Sequence, residues 1–341
     1  MISPLDTRIA YFGGAGNPAA TDAVIALADA GFRVVVASHD PHESVALRDA
    51  GLEFFTDRHG ALSGTQVVIT SLRTPDDVED AYLGDNGLLE LMAPGTYAID
   101  VSFSTPQLAR EIYAMGAVSD IEVLDAPIVN LGEHEQAIAF IGGNPDTQAT
   151  LSPLFPYLAP TVIPQAEAGD GQFAAMIAYV GLAGALMGAI ESLSLARVAS
   201  FPQDAAINAL ASTSAGSRAL VDFVPRVLAH DYSGTISVSA FLDVLEVVLE
   251  TADGLDMTVP MIETAYQLYE LLRVVGGGEL SIQALALLYE DERTCAEHGL
   301  DWALADAEGD EHCDGSCSGG HDDEDDDEDE RPPFYGFFSK N

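Results

Sequence analysis

The stretch FGGAGNPAATDAVIALADAG, residues 12–31, holds the first residues whose types and spacing could do chemistry. It reads Gly14-x-Gly16-x-x-Ala19, a dinucleotide-binding fingerprint with alanine in the place of the third glycine. Glycines there permit a tight turn and a close approach of a pyrophosphate, which helix N–H groups then receive. Asn17 suits a helix cap and Pro18 a first helical position. The other reading is a strand-to-helix turn that binds nothing. At the end of the second strand, an acid favours NAD through the ribose hydroxyls, and an arginine favours the 2′-phosphate of NADP. The sequence there is VVVASHDPHE, with His39 and Asp40 and no arginine, so NAD is favoured over NADP. Asp40 also suits the turn before Pro41. Leu72, closing a later strand, completes the expected cofactor-binding set of Gly14, Gly16, Asn17, His39 and Asp40.

A second constellation lies in HCDGSCSGGH, where His312, Cys313, Cys317 and His321 fall within ten residues. Thiolates and imidazoles so spaced, on flexible Gly and Ser, make a candidate site for zinc, nickel or copper. The spacing is not that of a zinc ribbon, and an acidic tail with incidental His and Cys reads equally well. The chain then ends in PPFYGFFSKN, whose four aromatics make a candidate docking segment.

These residues need elements to position them. Apolar runs at 8–12, 33–38, 66–72, 97–102 and 121–128 read as strands, with a late strand at 136–143. Helical stretches near 18–30, 43–50, 76–83 and 105–117 separate most of them. Continuous apolar strands alternating with helices predict an α/β fold, a Rossmann-like, doubly wound and mostly parallel sheet. From Gly171 to about residue 290 the pattern is helix after helix. The expected layout is therefore 1–168 as a dinucleotide-binding domain, 169–293 as an all-α domain opened by a long interdomain helix, and 294–341 as a disordered acidic tail. Nine consecutive acids at 322–330 support the last.

Composition narrows the function. The 341 residues carry 55 acids against 13 bases, a net charge of -42. Twelve of the bases are arginine and the only lysine is Lys340. This charge repels nucleic acid and anionic membrane. Gly171 to Ile190 is apolar enough to be tested as a membrane span, but Asp170 and Glu191 flank it, so a buried interface helix is the expectation. The start of the chain has no signal-peptide pattern and all three cysteines lie at 295 or beyond, so a cytoplasmic address is expected. The expected partners are a small-molecule substrate and a second copy of the chain, joined through the all-α domain.

Several segments together resemble the β-hydroxyacid dehydrogenase superfamily, which includes 3-hydroxyisobutyrate and 6-phosphogluconate dehydrogenases. They are the stretch from VVITSLRTPDDVEDAY to YAIDVSFSTP (67–106), LDAPI (124–128), GDGQ (169–172) and GGGELSIQALALLYE (276–290). The resemblance covers roughly residues 8–291 and implies a nicotinamide cofactor and hydride transfer. It also implies a lysine in the pattern Gly-x-Gly-Gln-x-x-Lys, and here Ala175 stands at that place. The family's two substrate-binding asparagines fall on Ala178 and Tyr179, its Ser-Thr on Ser102-Phe103, its Lys-Asp pair on Leu242-Asp243 and its strand-two arginine on His39. In the substrate loop, Val129, Asn130 and Leu131 replace the usual Ser-Gly-Gly.

Tyr179, one turn beyond Ala175, is the candidate replacement proton donor; its other reading is a core tyrosine. Asn130 is a candidate to hold a substrate oxygen, or a turn former. Ser102, at the C-terminal edge of a parallel sheet, is a candidate ligand contact, or a helix cap. Three functions follow: an NAD(P)-dependent oxidoreductase acting on a small alcohol, carbonyl or imine; a non-catalytic nucleotide-binding or structural homologue; or a metal-binding or docking protein acting through its tail.

Overall fold

In the computed structural model, residues 2–13, 17–38, 45–132 and 136–305 are described. Strands β1 (Arg8–Gly13), β2 (Arg33–Ala37), β3 (Glu53–Phe55), β4 (Val67–Ser71), β5 (Tyr97–Asp100) and β6 (Glu122–Asp125) form a parallel sheet in the order β3-β2-β1-β4-β5-β6. Their runs are apolar without alternation because helices cover both faces. All five residues of β4 are buried. Helix Pro18–Asp29 covers one face through Val24 and Leu27, and helices Pro75–Leu83 and Pro106–Val118 cover the other through Val78, Tyr82 and Ile112. The strand order reverses between β1 and β4, so a crevice opens at their C-terminal ends.

The run 121–128 does not stay one strand. It divides after Asp125, and its end becomes β7 (Ile128–Val129) of a second sheet with β8 (Ile138–Ile141) and β9 (Thr161–Pro164). The late strand expected at 136–143 is β8, antiparallel to β7 and parallel to β9. Sequence reasoning missed β3 and β9 because they are short and partly exposed, with no sustained apolar run.

Helix Asp170–Val198 has 29 residues and is the one helix among the described residues long and apolar enough to cross a membrane. Packing explains its composition. Ala175, Met176, Ala183, Leu186 and Ile190 enter a core shared with helices Val238–Gly254 and Pro260–Leu272. The folded body also runs past residue 294, where the tail was expected to begin. Cys295 and Leu300 are buried in that core, and the Cys295 thiol donates to the Leu287 carbonyl at 3.1 Å.

The long helix starts on Gly169, whose φ of 82° excludes most side chains, and its cap residue supplies no side-chain hydrogen bond. Asp125 caps it from a distance. From the end of β6 its carboxylate accepts the Gly169 N–H at 2.8 Å and the Gln172 N–H at 3.0 Å. Gly171 is small for the same reason: a Cβ there would meet the Phe140 carbonyl oxygen at 2.6 Å and the Asp125 carboxylate at 2.7 Å. Gln172 is fully buried; its amide donates to the Ser102 carbonyl at 2.9 Å and accepts the Ser104 N–H at 3.0 Å. The segment GDGQ is thus the joint between sheet and helix. Asp125→Ala leaves two buried N–H donors unsatisfied and is expected to cost about 2–4 kcal/mol in chemical denaturation. A loss under about 0.5 kcal/mol would show that the joint is not held this way.

Candidate active site

The C-terminal edge of the parallel sheet and the helical domain enclose a cleft of about 1800 Å³. Ordinary small-molecule sites occupy about 300–1,000 Å³, so this one has room for a cofactor and a substrate together. Gly13, Asn17, Ser71 and Leu72 line it from the sheet side, and Tyr179, Ser237 and Asp243 from the helical side.

The sheet side fits an anionic dinucleotide. Gly13 ends β1 where a Cβ would meet the Ser71 carbonyl oxygen at 2.6 Å, so the chain can pass close to β4 only without a side chain. Asn17 caps helix Pro18–Asp29 by accepting the Ala20 N–H at 3.2 Å, and no acid occupies the first turn. That helix therefore presents N–H groups and the positive end of its dipole to the cleft. Gly14, Gly16, His39 and Asp40 lie outside the described residues. So do His312, Cys313, Cys317 and His321; among the described residues no group of three or more His, Cys, Asp or Glu could hold a metal.

Leu72 lines the cleft, and Ser102 explains its position. Ser102 was expected to face a ligand, but it is buried and turned inward. Its hydroxyl donates to the Asp100 carboxylate at 2.6 Å and accepts the Leu72 N–H at 2.8 Å. It is a positioning residue for the loop after β4. Asp100 also accepts Thr70 Oγ1 at 2.8 Å, and the Tyr82 hydroxyl lies 2.8 Å from the same Thr70 oxygen. Burial pushes the Asp100 carboxyl up to about 6, against the Ser102 and Thr70 hydrogen bonds that pull it down. Sequence reasoning missed this network because no spacing rule links Thr70, Tyr82 and Asp100.

The helical side carries Tyr179. Its ring packs edge-on against Phe103 at 5.2 Å and lies 6.4 Å from Phe241. Burial pushes its phenol up to about 12, so at neutral pH it is a donor and not a base. The Asn130 side-chain oxygen is buried in the same cleft without a hydrogen-bond partner among the described residues. An acceptor so placed can take a hydrogen bond from a donor entering the cleft. Ala175 is fully buried in the helical core. The Arg73 guanidinium, after β4, comes within 3.8 Å of the Asp243 carboxylate across the cleft, a contact the sequence did not announce.

A sheet of this order, with a glycine-ended first strand and a cleft at its point of reversal, defines a Rossmann-type dinucleotide-binding protein carrying a helical second domain. Residues 16–166 match the family described as the NAD binding domain of 6-phosphogluconate dehydrogenase. Residues 169–289 match the family described as NAD-binding of NADP-dependent 3-hydroxyisobutyrate dehydrogenase. The chain belongs to the β-hydroxyacid dehydrogenase superfamily. It is 27% identical to a probable 3-hydroxyisobutyrate dehydrogenase-like protein 1 of Arabidopsis thaliana, over 85% of this chain and 87% of the relative. It is 27% identical to an NAD-dependent L-serine dehydrogenase of Pseudomonas aeruginosa, over 71% and 84%. The structure of Mycobacterium tuberculosis 3-hydroxyisobutyrate dehydrogenase with L-serine superposes with a TM-score of 0.75 at 21% identity, over 84% of this chain and 99% of that one. That likeness shows the shared fold.

The Asp100 shift predicts a pH dependence. Its folded value near 6 lies above the ordinary 3.8, so between those pH values the folded protein holds a proton that the unfolded chain releases. This group's contribution to stability therefore falls as pH rises through the window. Asp100→Asn removes that component. The variant's stability relative to the parent should rise between pH 4 and pH 7 by up to about 3 kcal/mol in urea melts. A constant difference across that range would contradict the shift.

Proposed function

We propose that this protein is an NAD(P)-dependent oxidoreductase of the β-hydroxyacid dehydrogenase type with an altered proton-handling group. Its substrate is a small alcohol, carbonyl or imine. The observation that carries this is the shared cleft: a helix start suited to a pyrophosphate and the buried Tyr179 line one space. Relatives named for 3-hydroxyisobutyrate and L-serine support the alcohol class. An imine reductase of Myxococcus stipitatus has the same fold, with a TM-score of 0.54.

When bound, the cofactor supplies or takes the hydride. Tyr179 then acts on the heteroatom of the substrate. In the reductive direction the phenol, held near 12, gives its proton to the carbonyl oxygen or imine nitrogen as hydride arrives and regains one from solvent in the open cleft. In the oxidative direction the alcohol's proton leaves to solvent while the phenol donates a hydrogen bond to the oxygen. This is the part the family lysine plays where Ala175 stands in this chain. Asn130, with its free acceptor, orients a substrate O–H or N–H. Phe103 and Phe241 pack against the Tyr179 ring and fix its orientation.

The protein also works as a homodimer. The long helix carries Phe173, Ile177, Leu195 and Val198 on one side, an apolar stripe exposed among the described residues.

Titration with NADH and NADPH, read by nicotinamide fluorescence, should show saturable binding of at least one; no binding at millimolar concentration removes the oxidoreductase reading and leaves the non-catalytic homologue. Among L-serine, 3-hydroxyisobutyrate and a cyclic imine, any substrate turned over should lose at least about tenfold in kcat in Tyr179→Phe, with cofactor affinity unchanged. Equal kcat would reject Tyr179 as the donor. Sedimentation should show a dimer that Ile177→Asp separates; a parent monomer would contradict the interface.

A further inference from the structure

The two walls of the cleft differ in charge. Among the described residues its cations are Arg58 and Arg73, and both belong to the sheet side. Arg58 lies past β3, at the outer end of the sheet, and donates from Nη1 to the Asn86 carbonyl at 3.0 Å. Arg73 approaches the Asp243 carboxylate at 3.8 Å. The helical wall carries Asp243, Glu246, Glu250 and Glu279, and no Lys, Arg or His among its described lining residues. Ala175 stands where the family lysine would be and is buried in the helical core, so the start of the long helix brings no cation either.

Asp243, Glu246 and Glu250 share one face of helix Val238–Gly254, and like charges one turn apart repel. Arg73 answers only the first of them, with a side chain that is 74% exposed. Glu246 and Glu250 are exposed and form no ion pair among the described residues. An acidic face alone specifies nothing in a chain of net charge -42. Two other groups say what stands before it. Tyr179, only 8% exposed, lines the same space with its ring against Phe103. Asn130, the polar side chain that follows β7 into the cleft, has its buried oxygen free of any partner among the described residues. An organic cation with N–H groups gains from a free acceptor and from aromatic faces. A carboxylate meets four acids and no basic group on this wall.

We infer that the substrate is a small alcohol bearing a protonated amine and no carboxylate, with the amine held at Asp243 and Glu246. The inference rests on the oxidoreductase reading of the cleft and gives it a substrate class. In the oxidative direction the carbinol C–H bond breaks and its electron pair leaves as hydride to NAD(P)⁺. The O–H proton goes to solvent and the carbon–oxygen double bond forms. The ammonium keeps its proton throughout and takes no part in the transfer. Asp243 and Glu246 therefore select the substrate and leave the chemistry to the other end of the molecule. A charge-assisted contact of this kind is worth more than the same carboxylates give a neutral alcohol.

The test uses primary alcohols that differ only in the two groups on the carbon beside the carbinol. They are 2-amino-1-propanol (ammonium and methyl), L-serine (ammonium and carboxylate), 3-hydroxyisobutyrate (methyl and carboxylate) and 2-methyl-1-propanol (two methyls). Each is titrated by calorimetry into the full-length protein saturated with whichever of NADH and NADPH it binds, and each is assayed for oxidation with the matching oxidised cofactor. 2-Amino-1-propanol should bind at least about tenfold more tightly than 2-methyl-1-propanol and than either carboxylate, with kcat/KM in the same order. Glu246→Gln should erase its margin over 2-methyl-1-propanol, Asp243→Asn should narrow it, and Glu246→Asp should retain part of it. Circular dichroism melts establish that each variant is folded. The margin should also shrink as salt rises, because it is electrostatic. Tighter binding of 3-hydroxyisobutyrate or L-serine, equal binding of the charged and neutral alcohols, binding of none of the four, or a margin that survives Glu246→Gln overturns the inference while the oxidoreductase reading stands. A parent that binds neither NADH nor NADPH overturns both.

Discussion

The molecule turns on one buried carboxylate. Asp125 ends the last strand of the parallel sheet and caps the 29-residue helix that opens the helical domain. Burial pushes its carboxyl up, while the Gly169 and Gln172 N–H groups pull it down. Two glycines make room for it, because a Cβ at Gly142 or at Gly171 would lie under 3 Å from a carboxylate oxygen. Gln172 ties the same turn to the loop after β5. The two walls of the cleft are thereby set by hydrogen bonds of one short segment. Tyr179 lies seven residues further along the helix, about two turns, and so faces the sheet edge.

A second buried carboxylate does a related task inside the sheet. Asp100 gathers Thr70 and Ser102, and Ser102 in turn holds the Leu72 N–H. The loop after β4 forms part of the cleft wall and carries Arg73 toward Asp243. Both carboxylates stand at strand ends, where main-chain donors are free to meet them. Beside the carboxylates that line the cleft, its described wall also carries the Tyr179 phenol, the Asn130 amide and the Arg58 and Arg73 guanidinium groups.

Much of this was legible in the sequence, for reasons that differ by element. Long apolar runs such as VVITS state a strand covered on both faces, and FGGAGNPAATDAV states a turn into a capped helix. The joint at GDGQ was visible as a family resemblance, but its cause was not: Asp125 lies 44 residues before Gly169, and periodicity does not report such pairs. Ser102 follows β5 at the C-terminal edge of the sheet. Its hydroxyl nonetheless points to Asp100, which only three-dimensional packing decides. β3 escaped notice because three residues carry no pattern, and Arg58 escaped with it. The start of the tail was set too early, since Cys295 reads as a tail cysteine until Leu287 and the core around it are in place.

The central claim is that one cleft holds a nicotinamide dinucleotide on its sheet side and presents Tyr179 to the reacting atom from its helical side. Its most direct measurement is a crystal structure of the protein with NADP⁺ bound. The account predicts the pyrophosphate at the start of helix Pro18–Asp29 and the nicotinamide ring between Leu72 and Tyr179. A cofactor bound elsewhere, or one whose nicotinamide faces away from Tyr179, would contradict it.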